Sequence, residues 1–588
     1  MVGLATVLGS GAMTNPIGEI EGAGAILVVG SNPAENHPII GYRMRNAVRN
    51  GAKLLVVDPR QTKFAKTASI HLQLKPGTDV ALCNGLAHVI IKEGLEAKEY
   101  IENRTHGFEN LKKMVAKYAP EYVSEITGVP PEKIIAAARL FAQADVASIF
   151  YCMGVTQHTS GTENVLALAN LSLLTGNLGK AHGGVNPLRG QNNVQGACDM
   201  GCLPNVLTGY QPVHSDRDTG TYWQRVKESC PPEEQDSCEQ SVETITSVEF
   251  EQPLPVSASV SDYVRAKFSK AWNVELSDVP GRTIAEMFHF LPSRRNQVMY
   301  IVGENPIVSS PNIDIVRESL TGMDFVIVQD IFFTETAAYA DVVLPAASFA
   351  EKDGTFINTE RRVQLIRKAV NPPGESKADW EIMQELANRF GLKWNYSNTK
   401  EIWDEVMKLT PHYFGGMSYE RLEKAGLQWP CPTPEHPGTA FLHKDKFSRG
   451  IGQFSTVEYR PRAAESADNE YPFILTTSRQ LYHFHTRTMT GKSEGLNHFL
   501  SEELMQINPE DAAALQLGDG DLVNVTSRRG SIKSKIQLSE QVPPGLVSMS
   551  FHFADTPVNV ITDPAVCNMS VVSGLKVTAV KLEKAELL

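Results

Sequence analysis

Residues 25–60 read AILVVGSNPAENHPIIGYRMRNAVRNGAKLLVVDPR, and this stretch decides the fold class. The apolar run Ala25–Val29 is followed directly by a glycine turn, which is typical of a buried strand. A helix is predicted over residues 38–51, because proline suits the start of a helix and glycine its end. A second apolar run, Lys53–Val57, then ends at Asp58. Strand, helix and strand in this order make a βαβ unit, for which a parallel sheet and a right-handed crossover are expected.

A second unit of the same design follows later in the chain. The strand Val298–Val302 leads into a glycine loop, and the strand Phe325–Gln329 ends at Asp330. Both loops read Gly-x-Asn-Pro, and the interval from glycine to aspartate is nearly equal in the two units. In such a unit the backbone can approach a phosphate at a helix N-terminus, while the acid can bind a ribose or a base edge. We predict an internal duplication that binds two nucleotide-like ligands; the alternative is two α/β domains that merely share Asn-Pro turn chemistry.

The remaining periodicities predict two Rossmann-like α/β domains and a β-barrel. The first domain covers residues 1–191, the second covers 192–465 with a polar insertion at 213–259, and a barrel of the double-psi type covers 466–588. Further predicted elements are helices at residues 79–92, 131–144, 162–174, 378–389 and 399–409, strands at 146–152, 341–344, 521–526 and 531–536, and a polar loop at 351–358. The predicted fold class is therefore α/β with pseudo-duplicated halves and a C-terminal barrel.

Residues 186–196 read NPLRGQNNVQG and combine one arginine with five amide side chains. Burying such donors without partners costs about 1–3 kcal/mol each, so a polar ligand is expected to satisfy them. Because the segment offers a guanidinium and many N–H groups, the predicted ligand is anionic and rich in acceptors. The alternative is a solvated loop.

Composition excludes several classes of protein. The chain has 588 residues, 42% of them hydrophobic, and a net charge of -12 without long charged blocks, which argues against nucleic acid as the main partner. No apolar run approaches the roughly 20 residues of a membrane span, so a cytoplasmic protein is expected. The eight cysteines are too sparse for a disulfide scaffold. Cys198 and Cys202 suit one helix face, but no second pair or nearby histidine completes a metal site, and no metal ligand is predicted.

Four motifs resemble those of the molybdopterin oxidoreductases, and in particular of the catalytic subunits of formate dehydrogenases. They are Gly154-Val155-Thr156-Gln157, Leu174-Thr175-Gly176-Asn177, Asn186 through Gly201, and Val328-Gln329-Asp330-Ile331-Phe332. The resemblance implies two molybdopterin guanine dinucleotides around one molybdenum or tungsten, with one dinucleotide in each half. It further implies oxidation of formate to CO2, or the reverse, with electrons passing to a partner subunit that is a hydrogenase, a ferredoxin-type protein, or an F420- or NAD-reducing protein.

The resemblance also assigns roles to residues. Arg189 would anchor the substrate carboxylate, and Gln191 would complete that pocket. Dinucleotide contacts are implied for Ser31, Asn32, Asp58, Arg60, Lys75, Gly77, Asp79, Gly154 and Gln157 in the first half, for Gly303, Asn305, Asp330, Thr334 and Asn358 in the second, and for Thr477, Arg479, His483, His485, Arg487, Phe551, Asn559 and Lys576 in the barrel. For the histidines of the barrel, the alternative is a surface cluster.

The chain departs from this family at one important point. The family carries a four-cysteine iron–sulfur motif, a lysine on the electron path, and a cysteine or selenocysteine followed by histidine, and these motifs are not found in the sequence. Alignment on Gly9-Ser10-Gly11-Ala12-Met13 would put the metal-binding residue just upstream of Met1. We therefore expect Met1 to be an internal residue of a selenoprotein, the 4Fe-4S cluster to belong to the missing part, and the given chain to be inactive alone.

Three other functions remain open from the sequence. A sister enzyme acting on nitrate or another oxyanion would keep the fold without needing the Arg189 segment. A non-catalytic large electron-transfer subunit would explain the missing ligands but not the retained pterin loops. A nicotinamide dehydrogenase is disfavoured because neither glycine loop reads G-x-G-x-x-G.

Overall fold

The computed structural model describes residues 1–213, 260–289, 297–461 and 465–585. Its strands are β1 (Ala25–Val29), β2 (Lys53–Val57), β3 (Ile70–Leu72), β4 (Thr105–His106), β5 (Ala147–Tyr151), β6 (Val185–Pro187), β7 (Val206–Leu207), β8 (Gln211–Pro212), β9 (Val298–Val302), β10 (Phe325–Asp330), β11 (Val342–Pro345), β12 (Gly354–Ile357), β13 (Arg362–Ile366), β14 (Leu427–Gln428), β15 (Gly452–Gln453), β16 (Phe473–Ser478), β17 (Leu504–Ile507), β18 (Leu522–Ser527), β19 (Gly530–Leu538), β20 (Leu546–Ser550) and β21 (Thr578–Lys584). Its α-helices are α1 (Val2–Leu8), α2 (Pro33–Asn36), α3 (Pro38–Arg49), α4 (Asp79–Lys92), α5 (Lys98–Arg104), α6 (Phe108–Val115), α7 (Pro120–Thr127), α8 (Pro131–Ala142), α9 (Met153–Thr156), α10 (Gly161–Leu174), α11 (Val194–Asp199), α12 (Val260–Trp272), α13 (Ile284–His289), α14 (Pro306–Ser309), α15 (Ile313–Thr321), α16 (Asp379–Arg389), α17 (Thr399–Leu409), α18 (Pro411–Phe414), α19 (Tyr419–Lys424), α20 (Glu494–Phe499) and α21 (Pro509–Ala514).

The first sheet is parallel and covered on both faces. Its strand order is β3-β2-β1-β5-β6, and all of its pairings are parallel. Alternate residues of β1 point to opposite faces, so Leu27 and Val29 join the core that α4, α8 and α10 cover, while Ile26 and Val28 join the core that α3 covers. The strand bounds of β1 and β2 confirm the predicted βαβ unit.

The second half repeats this arrangement on a smaller scale. Its parallel sheet has the order β11-β10-β9 among the described strands, and β9 has the predicted bounds. Val326 and Val328 of β10 are buried against Ile313 and Val316 of α15. Later in the chain, Phe447 and Phe454 return to the core of the first sheet, and β15 pairs with β4. The domain boundaries at 191 and 465 stay predictions.

The last part of the chain forms a closed barrel with the order β16-β20-β17-β19-β18-β21. In β19 the buried residues Ile532, Ser534 and Ile536 alternate with exposed ones, as the period of a strand requires. The predicted α/β class with a C-terminal barrel is confirmed.

One local prediction needs correction, and one helix was not predicted. The predicted polar loop at 351–358 contains β12, which pairs with β13 in an antiparallel hairpin because Ile357 packs into a buried cluster with Val363. The segment after Arg189 contains the helix α11, which the sequence reasoning missed. The predicted insertion at 213–259 lies, apart from residue 213, outside the described residues.

Candidate functional site

The carboxyl ends of the first sheet form one wall of the candidate site. Because β1, β2, β5 and β6 run parallel, the loops that follow them meet at one edge. Gly30 follows β1 with a φ of 51°, and a Cβ atom on it would lie 2.6 Å from the carbonyl carbon of Gly154. The Gly154 N–H donates to the Gly30 carbonyl at 3.0 Å. Only a pair of residues without side chains allows the two loops to touch in this way.

A cavity of about 330 Å³ lies between this edge and the first loop of the barrel. It brings together many of the predicted residues, namely Ser31, Asn32, Asp58, Arg60, Asp79, Gly154, Gln191, Thr477, Arg479, His483, His485 and Lys576. Ser31 Oγ and Asn32 Oδ1 are buried and have no hydrogen-bond partner in the part of the chain that the structure describes. Buried polar atoms are almost always paired, so these two atoms mark a place where a polar ligand fits.

Two carboxyl groups lie on the wall of this cavity. The Arg60 N–H donates to Asp58 Oδ1 at 2.9 Å, and Arg60 Nε lies 3.9 Å from the same oxygen. Burial raises the pKa of Asp58, and the charge of Arg60 opposes this shift. Burial raises the pKa of Asp79 to about 7, and the charge of Asp58 adds to the shift. N–H donors of a ligand would stabilise both groups as carboxylates.

The opposite wall carries two cations. Lys576 Nζ donates to the Thr477 carbonyl at 2.8 Å and to Thr477 Oγ1 at 3.1 Å. Burial lowers the pKa of Lys576 to about 7, and Arg479 adds to the shift. The Arg479 guanidinium carbon lies 3.8 Å from the centre of the Phe551 ring, and its Nη1 is buried without a partner among the described residues. An anion in the cavity would stabilise both cations.

The remaining residues of the barrel loop divide into two groups. His483 Nε2 lies 2.6 Å from a backbone carbonyl, and Arg487 donates to Asn497 at 2.7 Å while it stacks on Phe553. These contacts hold the loop in shape, and His483 also lines the cavity. His485 lies on the cavity wall, where burial lowers its pKa to about 4.

Arg189 lies directly before the cavity residues Gly190 and Gln191. Its N–H donates to Thr359 Oγ1 at 3.1 Å, and its Nη2 lies 3.5 Å from the Gly11 carbonyl. Its Nε is buried and has no partner within the described ranges. The guanidinium therefore keeps hydrogen-bonding capacity for an anion.

The structure corrects the interpretation that all five amides of this segment need a ligand. Asn186 donates to Ser148 Oγ at 2.9 Å, and Asn193 Oδ1 accepts from the Ile357 N–H at 2.8 Å. Gln195 donates to a buried carboxylate at 2.8 Å. Asn186 and Asn193 thus have partners distant in the sequence, and the Gln195 amide nitrogen has one a helical turn away, although Gln195 Oε1 is buried without a partner among the described residues. The side chains of Gln191 and Asn192 are the ones that we expect to serve a ligand.

The carboxylate that Gln195 contacts belongs to Asp199, which the sequence reasoning missed. Asp199 also accepts from the Tyr210 hydroxyl at 2.6 Å and from the Trp429 indole N–H at 2.7 Å. Burial raises its pKa to about 6, and the three donors oppose the shift. This network ties α11, and with it the Arg189 segment, to the second half. The four-residue spacing of Gln195 and Asp199 was the available signal.

In the second half, most predicted residues hold their own loops. Asn305 Oδ1 accepts from Thr336 Oγ1 at 2.7 Å, Thr334 Oγ1 accepts from a backbone N–H at 3.1 Å, and Asn358 Oδ1 accepts from two backbone N–H groups. Asp330 is half-buried at the end of β10, and burial raises its pKa. Gly303 at the end of β9 has a φ of 64°, as Gly30 has in the first half.

Several predicted residues lie away from the 330 Å³ cavity. Lys75 and Gly77 line a separate cavity of about 890 Å³. Gln157 is buried, and Asn559 donates to the Val308 carbonyl at 2.7 Å, which joins the barrel to the second half. The structure thus gathers most of the predicted residues of the first half, and several of the barrel, around one cavity. The predicted residues of the second half lie elsewhere.

The described residues include no group of three or more His, Cys, Asp or Glu side chains that could hold a metal ion. None of the helices within those same ranges is long and apolar enough to cross a membrane.

Comparisons with known proteins agree with the resemblance. The model of the molybdopterin oxidoreductase family matches residues 5–389, and the molydopterin dinucleotide binding domain matches residues 473–579. The chain is 48% identical to the F420-dependent formate dehydrogenase subunit alpha of Methanocaldococcus jannaschii, over 99% of this chain and 80% of that protein. It is 40% identical to formate dehydrogenase H of Escherichia coli, over 94% of this chain and 72% of that protein.

More distant similarities agree with the same fold. The assimilatory nitrate reductase catalytic subunit of Bacillus subtilis is 33% identical over 97% of this chain and 76% of its own length. The structure of acetylene hydratase from Pelobacter acetylenicus matches with a TM-score of 0.72 at 20% identity, over 99% of this chain and 80% of that chain. The extent of the family match and the identity to full-chain relatives settle the classification. The chain belongs to the molybdopterin oxidoreductase family.

Proposed function

We propose that this chain is the catalytic subunit of a formate dehydrogenase, which interconverts formate and CO2 at a molybdenum or tungsten centre held by two molybdopterin guanine dinucleotides. The observation that carries the proposal is Arg189, whose buried Nε lacks a partner among the described residues. Arg189 precedes two residues of the cavity wall without lining the cavity itself, and we infer that its guanidinium binds a small carboxylate beside the cavity. The relatives named formate dehydrogenases support the choice of formate over other carboxylates.

The residues present fit one such dinucleotide at the first cavity. Among the residues described, Ser31 Oγ and Asn32 Oδ1 have no partner. The Ser31 hydroxyl can donate to a phosphate oxygen near the glycine loop, and Asn32 Oδ1 can accept from a sugar hydroxyl. Arg479 and Lys576 supply positive charge, and Asp58 and Asp79 supply acceptors for the N–H groups of a base. A second dinucleotide at Gly303 and Asp330 is proposed from the repeated loop and the half-buried carboxylate.

When bound, the metal–pterin group supplies the two-electron redox chemistry. Formate loses a proton and two electrons to become CO2, so the protein has to hold a singly charged planar anion and release a neutral product. Arg189 would bind the two formate oxygens through paired N–H donors. Gln191, which lines the cavity and is not fully buried, would orient the same group through its amide. Binding weakens once the carboxylate charge is lost, which favours release of CO2.

The test is formate-dependent reduction of a viologen dye by the holoenzyme and its Arg189→Ala and Arg189→Lys variants. We expect kcat/KM for formate to fall about 100-fold or more in Arg189→Ala, because a charge-assisted contact is lost. Arg189→Lys should recover only part of this loss, since lysine cannot form the bidentate contact.

The control is Arg43→Ala, which breaks an ion pair with Glu21 at 3.0 Å outside the cavity. It should leave kcat/KM within about twofold, because a surface ion pair contributes little. Unchanged formate kinetics in Arg189→Ala, at equal dinucleotide content, would contradict the proposal. Reduction of nitrate in place of formate oxidation by the wild type would support a nitrate reductase.

We further propose that a partner subunit passes the electrons to coenzyme F420. Three relatives named F420-dependent formate dehydrogenase subunits alpha, at 43–48% identity, support this choice over a hydrogenase, a ferredoxin or NAD. Purification of the native complex and assay with F420 and NAD test it, and reduction of NAD alone would contradict it. Molybdenum, tungsten, iron and sulfide analysis of the same complex tests the metal and the expected iron–sulfur cluster.

A further inference from the structure

His37 lies between the glycine loop of β1 and the Arg189 segment. It joins α2 to α3, and its backbone is fixed from both sides: its N–H donates to the Pro33 carbonyl at 3.2 Å, and its carbonyl accepts from the Gly41 N–H at 2.8 Å. Its ring lines the same cavity as Ser31 and Asn32. The side chain is therefore held in a defined position at the edge of the cavity.

The contacts of the ring define its protonation state. His37 Nε2 lies 2.8 Å from the backbone carbonyl of Arg189. A carbonyl oxygen only accepts hydrogen bonds, so Nε2 must carry the hydrogen. Burial lowers the pKa of His37, and the contact with the Arg189 carbonyl opposes this shift. The lowered pKa favours the neutral ring, in which Nδ1 carries a lone pair.

The other ring nitrogen, Nδ1, is buried and has no partner to satisfy its lone pair among the described residues. A buried acceptor without a partner destabilises the folded protein. Since His37 lines the cavity, a donor from a molecule bound there can satisfy Nδ1.

We propose that His37 is a positioning residue that couples the bound dinucleotide to Arg189. Its Nδ1 accepts a hydrogen bond from an O–H or N–H group of the dinucleotide, and its Nε2–H holds the Arg189 carbonyl. The inference rests on the proposed function for the identity of the dinucleotide and the role of Arg189. Its consequence is that cofactor binding fixes the backbone from which the substrate-binding guanidinium projects.

Two substitutions separate the contact of His37 with the dinucleotide from its contact with the Arg189 carbonyl. In His37→Gln the amide nitrogen reaches the place of Nε2, so the donor to Arg189 is kept and the acceptor toward the cavity is lost. In His37→Asn the amide oxygen reaches the place of Nδ1, so the acceptor is kept and the donor to Arg189 is lost. Each change removes one neutral hydrogen bond, which corresponds to about a threefold to tenfold effect.

The measurements are made on full holoenzyme. Dinucleotide retention is followed as guanine nucleotide and pterin released per chain during dialysis, and formate kinetics are normalised to the dinucleotide that remains. We expect His37→Gln to lose dinucleotide about threefold to tenfold faster with a formate KM near that of the wild type. We expect His37→Asn to retain dinucleotide like the wild type but to show a formate KM raised about threefold to tenfold, with a smaller change in kcat.

His88 provides a matched control. Its Nδ1 lies 3.0 Å from the Val115 carbonyl, and its Nε2 is buried without a partner among the described residues, but it does not line the cavity. Substitutions of His88 by glutamine and asparagine should change thermal stability alone.

Two results would overturn the proposal: both His37 variants retain dinucleotide and bind formate like the wild type, or the His88 variants reproduce the same pattern. If either His37 variant fails to fold, ¹⁵N spectra of wild-type histidine rings replace it. They should show an Nε2–H ring whose Nδ1 resonance moves when dinucleotide is removed, and an unmoved resonance overturns the proposal. If the wild type does not oxidise formate, the proposed function fails, and the retention measurements alone decide the role of His37.

Discussion

The carboxyl group of Asp79 should make the dinucleotide-free protein less stable as the pH rises. Asp79 is 6% exposed and is the first residue of α4. Burial raises its pKa to about 7, with a contribution from the charge of Asp58. We consider the substitution Asp79→Asn, because asparagine has nearly the same shape and stays neutral at every pH.

The sign follows from proton binding. In the unfolded chain this carboxyl titrates near pH 4, so the folded state binds the proton more tightly. Stability contributed by the protonated group is then present below about pH 4 and is lost as the pH rises through about 7. A difference of one pKa unit between the folded and unfolded states corresponds to about 1.4 kcal/mol, so a difference of about three units gives roughly 4 kcal/mol in full. A backbone N–H at the start of α4 opposes the shift, and its effect is already contained in the pKa of about 7.

The assay is urea unfolding of wild type and Asp79→Asn, both free of dinucleotide, at pH 5 and pH 8. Part of the loss is already present at pH 5, so the stability of the variant relative to the wild type should increase by about 2 kcal/mol between the two values. Parallel pH dependence of the two proteins would refute the reasoning. In the holoenzyme the wild type should be more stable than Asp79→Asn, because the N–H donors of a bound base need a carboxylate, which asparagine lacks.

Three further predictions concern stability. Gly30→Ala should lower the free energy of unfolding by about 2 kcal/mol or more, because the added Cβ would lie 2.6 Å from a Gly154 backbone atom. The control is Gly51→Ala: Gly51 has open space around it, so this change should cost only about 1 kcal/mol of backbone strain. Equal shifts of the melting temperature in the two variants would contradict the prediction. Arg361→Met should lower the free energy of unfolding in urea by about 3–5 kcal/mol. Arg361 is 0% exposed and donates to backbone carbonyls that would lose their partner. A loss below 1 kcal/mol would show that water replaces the guanidinium as the donor to these carbonyls. Burial lowers the pKa of Lys576 to about 7, so the unfolded chain binds this proton more tightly than the folded protein between pH 7 and 10. The dinucleotide-free protein should therefore gain stability as the pH rises through that range. Lys576→Met should remove this gain, and a gain that persists in the variant would show that other groups cause it.

The local elements were largely predictable from the sequence because burial leaves a periodic record along each element. The apolar runs of β1 and β2 on either side of a helix indicated a βαβ unit and a parallel sheet. The alternation of apolar and polar residues in β19 indicated a barrel strand with one buried and one solvent-exposed face. The two Gly-x-Asn-Pro loops indicated a repeated ligand-binding unit. β12 was missed because polar residues flank it and only its partner strand shows which side is buried.

The site depended more strongly on tertiary structure. The sequence by itself determined the element order, the family resemblance and the concentration of polar groups around Arg189. It did not determine which of these groups are free, since Asn186 and Asn193 are satisfied by partners 38 and 164 positions away. Nor did it single out His37, whose importance comes from a contact across 152 positions. Hydrogen-bond satisfaction is a property of three-dimensional neighbours, so only the tertiary structure separated the side chains that hold the fold from those left for a ligand.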